Sequence, residues 1–128
     1  MNRTQETSPL FSGWVESGPE DVIEAEQAVR ERDLERLGTV MEHSTMKMVG
    51  TMFSAQPAVV YMKPATVAVL HAVSGLRSQG IGAWATMDAG PNVKILCSPE
   101  YSRIIVETIK PHCLKTHVLS AGPDAKLI

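Results

Sequence analysis

The apolar positions of this chain recur with helical spacing through its first two thirds and then shorten into strand-like runs. Residues 1–8 are polar and read as extended. Ser8-Pro9 predicts a helix start, with Ser8 as N-cap and Pro9 in the first position, and Leu10, Phe11, Trp14 and Val15 follow at helical spacing. Gly18-Pro19 predicts a kink or break, with Ser17 or Gly18 capping the resumption and Glu20 and Asp21 favourably placed near the positive end of the helix dipole. Val22, Ala25 and Val29 then form an apolar stripe, leaving Glu24, Glu26, Arg30 and Glu31 to face water. The charges of residues 30–33 read as a solvated turn, with Asp33 capping a second helix whose Leu34, Leu37, Met41, Met48 and Met52 share a face beside Val40.

Ser54-Ala55-Gln56-Pro57 breaks that pattern, and Val59 to Met62 is a short extended run. Pro64 opens a third helix with Val69, Val73 and Leu76 on one side and Leu70 adjacent, stopped at Gly80. Two apolar runs follow, Ile81 to Met87 and Val93 to Cys97, joined by Asp88-Ala89-Gly90-Pro91-Asn92; that pattern predicts a hairpin. Ser98-Pro99-Glu100 opens a fourth helix with Tyr101, Ile104, Ile105, Thr108 and Ile109 as its buried face, closed by Pro111. Thr116 to Ser120 reads as a strand, residues 121–124 as a turn and residues 125–128 as a last strand fragment. The expected fold is one α+β domain of two layers, with helices packed on a small antiparallel sheet.

Composition narrows the function classes. A chain of 128 residues is one domain, and 44% hydrophobic residues with only 5% aromatic give an aliphatic core in which seven Met fill gaps. A net charge of −2 supplies no basic footprint for nucleic acid. No apolar run reaches the roughly 20 residues of a membrane span, and the polar N-terminus lacks a signal-peptide segment, so the cytoplasm is the expected compartment. Cys97 and Cys113 lack metal spacing and read as reduced packing residues. His43 and His71 have no nameable partner, and the sequence holds no phosphate loop, HExxH or paired-Cys motif. One position stands out. Asp88 ends an apolar strand beside Gly90, whose backbone can approach a ligand, and Pro91, which stiffens the bend. Asp88 is either a carboxylate that orients substrate or, more commonly for such a local pattern, a turn residue bonding its own backbone.

The run Thr86-Met87-Asp88-Ala89-Gly90-Pro91-Asn92-Val93-Lys94 closely resembles the late motif of the diphosphomevalonate decarboxylases of the GHMP kinase superfamily. Glu6-Thr7-Ser8-Pro9 with Trp14-Val15, Glu42-His43, Lys47-Met48, Ala55-Gln56-Pro57, Gly122-Pro123 and Lys126-Leu127-Ile128 are similar to other family segments in the same order. The chain departs from the family at Ser44, where Asn is common, and at Val49-Gly50, where His-Ala is common. The resemblance covers nearly the whole chain, residues 1–128, as a C-terminal domain of ferredoxin-like type. The family's N-terminal ATP-binding domain is missing, and with it a Ser-Arg pair that normally precedes the residue matching Met1.

The resemblance implies a cytoplasmic, homodimeric enzyme that converts mevalonate 5-diphosphate and ATP to isopentenyl diphosphate, ADP, phosphate and carbon dioxide. It implies that Asp88 is the catalytic carboxylate acting on the tertiary 3-hydroxyl, with Met1, Ala89 and Gly90 against the substrate. ATP and Mg²⁺ are expected mainly on the missing domain, so the isolated chain is expected to be inactive. The competing readings are a related kinase or phosphomevalonate decarboxylase of the same superfamily, and a non-enzymatic α+β interaction module.

Overall fold

The computed structural model describes residues 2–122, apart from the side chain of Asn2. Five helices and one hairpin make up this region: α1 (Asn2–Thr7), α2 (Phe11–Glu31), α3 (Leu34–Phe53), α4 (Pro64–Ser78), β1 (Ala83–Thr86), β2 (Lys94–Cys97) and α5 (Ser102–Ile109). The architecture is the expected α+β class, with helices packed on a small antiparallel sheet.

The sheet is the point on which the helices converge. β1 and β2 pair in the register Ala83↔Cys97, Trp84↔Leu96, Ala85↔Ile95 and Thr86↔Lys94. Side chains alternate across a strand, so Ala83 and Ala85 turn to one side, where Val69, Val73 and Leu76 of α4 and Ile105 and Ile109 of α5 complete a buried cluster. Trp84 and Thr86 turn to α3. The indole lies so close to the backbone of α3 that a Cβ on Gly38 would fall 2.1 Å from Trp84 Cδ2. The hydroxyls of Thr45 and Thr86 are 2.8 Å apart.

Antiparallel pairing also leaves Ala83 and Ala85 with backbone groups aimed away from β2. Two side chains meet them. Arg77 Nη1 donates to the Ala83 carbonyl at 2.7 Å, Ala85 N–H donates to Glu42 Oε2 at 2.7 Å, and the Arg77 guanidinium grips both Glu42 oxygens at 2.9 and 2.6 Å. The Glu42–Arg77 pair therefore takes the place of a third strand on the outer edge of β1.

α2 and α3 form a helical hairpin. Arg32 links them in the left-handed region (φ 57°), and Asp33 caps α3 as expected, its Oδ1 accepting from Arg36 N–H at 2.9 Å. The packing face of α2 differs from the expected stripe. Ala28 is buried, whereas Val22 and Val29 are 67% and 60% exposed. Glu24, expected in water, is instead held by Arg36, whose Nη2 lies 2.8 Å from Glu24 Oε2. Lys47 Nζ lies 2.6 Å from Asp21 Oδ2 and also donates to Ser17 Oγ at 2.9 Å. The face that binds α3 is thus built from half-buried ion pairs. Burial pushes the Asp21 carboxyl up, but Lys47, Ser44 and His43 outweigh it and hold the carboxyl below its ordinary range.

Other expectations also change. Residues 2–7 are helical, not extended, and the hydroxyl of Thr7 secures α1 by accepting from Gln56 N–H at 2.9 Å. Ser8 does not cap α2; it forms a turn, accepting from Leu10 N–H at 3.3 Å, and α2 starts at Phe11. Pro19 lies inside an unbroken α2, because packing on α3 outweighs the roughly 3 kcal/mol that an interior proline costs. On α3 the buried set shifts to Gly38, Val40, Thr45, Val49, Thr51 and Met52, leaving Leu34, Leu37, Met41 and Met48 half-buried. α4 and its Gly80 stop (φ 80°) agree with expectation. A 3-10 turn over Pro99–Tyr101 precedes α5, and Ile104 faces outward. Residues 116–120, expected as a strand, form none. The expected last strand at 125–128 lies outside the described residues.

Two outcomes test this packing. Gly38→Ala should destabilise the chain by about 1–3 kcal/mol in urea unfolding, through overpacking against Trp84; the cost should shrink sharply in a Trp84→Ala background. Asp21→Asn should cost about 1.5–3 kcal/mol at neutral pH, the range for hydrogen bonds and contacts to charged groups. Because the folded-state pKa of Asp21 is depressed, that stability is present above about pH 4 and lost as pH falls through the folded value, so variant and parent should converge in acid.

Candidate active site at the hairpin bend

The connection between the strands is a seven-residue loop from Met87 to Val93. Met87 is buried and fixes the end of β1. The chain then surfaces abruptly: the Asp88 side chain is 90% exposed, and Ala89 is exposed beside it. Gly90 has φ 94°, a conformation that favours glycine, and its backbone faces Tyr61 closely enough that an added Cβ would sit 3.7 Å from the Tyr61 carbonyl carbon and Cβ.

The loop is pinned to the start of α4. Pro64 occupies the first turn, and Thr66, third in the helix, is buried. Its hydroxyl accepts from Lys63 N–H at 3.2 Å and donates to the Pro91 carbonyl at 2.9 Å. One buried hydroxyl therefore caps a helix and anchors the bend. From the far side of the loop, Lys94 Nζ at the start of β2 meets Asp88 Oδ2 at 2.8 Å.

The expected Asp88, Ala89 and Gly90 fall together on one exposed bend, whereas Met1 lies outside the described residues. Asp88 does not bond its own backbone among the described side-chain contacts; its carboxylate is engaged by Lys94 alone. Sequence reading missed Thr66 and Lys94 as site residues. A threonine two positions after a helix-opening proline was the available signal for the first, and a lysine six residues past Asp88 in a tight hairpin for the second.

Two open grooves of about 470 and 700 Å³ lie elsewhere, between α2 and α3 and along the outer edge of β1, and the Asp88 loop lines neither. Among the described residues no cluster of three or more His, Cys, Asp or Glu could hold a metal ion. Among the described residues no helix is long and apolar enough to cross a membrane. Cys97 and Cys113 are free thiols packed beside the core, with burial and Glu100 pushing the Cys97 thiol up. His43 and His71 are exposed.

The family model for the mevalonate 5-diphosphate decarboxylase C-terminal domain matches residues 1–124. The chain belongs to that family. Among solved structures it is similar to the mevalonate diphosphate decarboxylase from Enterococcus faecalis, with 33% identity and a TM-score of 0.83 over 90% of this chain and 36% of that one. It is similar to the mevalonate diphosphate decarboxylase from Staphylococcus aureus, with 32% identity and a TM-score of 0.80 over 85% of this chain and 33% of that one. A complex of MDDEF with MVAPP, AMPPCP and magnesium shares 33% identity at a TM-score of 0.82, covering 88% of this chain and 35% of that one. The chain thus spans about a third of the decarboxylase chains it resembles. No curated protein matches it.

The anchoring role of Thr66 is directly testable. Thr66→Val should cost about 1–3 kcal/mol by leaving the Lys63 amide and the Pro91 carbonyl without their partner. Thr66→Ser should recover most of that loss. Equal stability of all three proteins in chemical unfolding would show that the hydroxyl anchors nothing.

Proposed function

We propose that this chain is the C-terminal part of a longer ATP-dependent decarboxylase that converts mevalonate 5-diphosphate to isopentenyl diphosphate, and that Asp88 is its catalytic carboxylate. The observation that carries the reading is the exposed Asp88 on an otherwise well-anchored bend, within a chain that belongs to the decarboxylase family. A carboxylate so placed is open to a substrate delivered from outside the domain. A tertiary alcohol is a weak nucleophile, and a carboxylate within hydrogen-bond reach aids it by orienting the hydroxyl and accepting its proton as the oxygen attacks phosphorus. Ala89 and Gly90 offer little side-chain bulk, so substrate can approach the backbone there, and Met1 would supply an apolar wall.

ATP and Mg²⁺ are held mainly by the part of the enzyme outside this chain. A structure of MDDEF with MVAPP, AMPPCP and magnesium supports both as ligands of the whole enzyme. A cytoplasmic location and a homodimer are part of the same proposal. The outward Val15, Val22 and Val29 of α2 support an apolar contact with another protein surface.

The isolated chain should show no turnover, and a folded N-terminal portion added in trans should restore it. In the full-length enzyme Asp88→Asn should lower kcat by at least about 10²–10⁴-fold, the usual contribution of a general base, with an unchanged melting temperature. Parent-like turnover of Asp88→Asn would overturn the catalytic role. A product that keeps its carboxyl group would instead identify a kinase.

A further inference from the structure

We propose that Lys94 is the positioning residue of the Asp88 carboxylate, holding Oδ2 so that Oδ1 faces the substrate hydroxyl; the proposal rests on the catalytic reading of Asp88.

The geometry begins with the backbone. Lys94 is the first residue of β2 and is locked in register opposite Thr86, whose hydroxyl meets Thr45 of α3. Its Cα is therefore fixed by the sheet and, through the sheet, by the helices. Asp88 has no such support. It lies two residues beyond β1, outside the ladder, and its side chain is 90% exposed. The loop around it is tied down by buried Met87 and by the Thr66–Pro91 hydrogen bond, and these fix the backbone without fixing the Asp88 rotamer. The 2.8 Å contact between Lys94 Nζ and Asp88 Oδ2 is the one described side-chain contact that does so.

Stability does not account for this pair. With the side chains 64% and 90% exposed, such a contact adds little to folding in water. Its value lies in geometry. A catalytic group must sit within about 0.5 Å of its productive position, and a displacement of about 1 Å can cost 10²-fold in rate. An ammonium carries three donors and no acceptor, so it can hold one carboxylate oxygen without competing for the proton. In the step itself the O–H bond of the tertiary alcohol breaks and the proton passes to Asp88 Oδ1; the freed oxygen pair bonds the terminal phosphorus of ATP as the bond from that phosphorus to its bridging oxygen breaks and ADP leaves with the pair. Lys94 keeps its protons throughout.

The test uses the full-length enzyme, steady-state kinetics and thermal unfolding. Lys94→Met should lower kcat by about 10–100-fold, the cost of a misplaced group, while KM for mevalonate 5-diphosphate and for ATP, and the melting temperature, stay close to parent values. Lys94→Arg, which keeps the cation, should recover most of kcat. Parent-like kcat in Lys94→Met would overturn the proposal. So would a raised KM at unchanged kcat, which would put Lys94 on a substrate, and so would Lys94→Arg as impaired as Lys94→Met. Asp88→Asn measured alongside separates the two readings: if it abolishes turnover while Lys94→Met does not, only the role of Lys94 falls.

Discussion

Two strands of four residues cannot hold themselves together in water, and this hairpin depends on the Glu42–Arg77 pair that closes the outer edge of β1. Without it, the Ala83 carbonyl and the Ala85 N–H would be unpaired on a buried strand, at a cost of about 1–3 kcal/mol each. The pair fills the place a third strand would take, and it draws on two different helices: Glu42 from α3 and Arg77 from the last turn of α4. The two helices and the strand are thereby fixed relative to one another by one fork of hydrogen bonds. Gly38 and Trp84 complete the arrangement, since the indole can lie flat on α3 only where a side chain is missing.

Order then passes along β1 toward the bend. Burial runs through Ala83, Trp84 and Ala85 to Met87 and stops there, and Asp88 is the first fully outward residue. Thr66 holds the loop from the α4 side and Lys94 from the β2 side, so three elements converge on a five-residue tip. A rigid base under an exposed tip suits a site whose substrate comes from beyond the domain. The same chain segment is therefore core at one end and exposed bend at the other.

The features readable from sequence are those set by local rules. The hairpin, the Asp33 cap, the Pro64 start and Gly80 stop of α4, and the exposure of the Asp88 bend all follow from turn, cap and alternation chemistry within a few residues. What escaped reading depends on distant partners. Val22 and Val29 look like a buried stripe by periodicity, yet α2 meets α3 through Asp21, Glu24 and Ala28, because Lys47 and Arg36 wait on the other helix to pair those acids. Pro19 looks like a break, yet a two-helix contact carries α2 through it. Residues 116–120 have strand-like residues yet form no strand. The role of Thr66 is invisible locally because its second partner, Pro91, lies 25 residues away.

Under the proposed function, the exposure of the Asp88–Lys94 pair predicts weak catalysis by the domain alone. Two opposite charges about 4 Å apart attract by about 1 kcal/mol in bulk water and about 4 kcal/mol where the effective dielectric falls to about 20. Nothing in the hairpin supplies that fall; its tip stands in solvent. A second body closing over the bend would supply it, strengthening the grip of Lys94 on Asp88 and expelling the water that competes for the carboxylate in one motion. On this view the helices and the sheet set where the carboxylate points, and the surface that covers it sets how strongly it acts. A fold that buried Asp88 in advance would hold the charge at a desolvation cost and leave the substrate no approach.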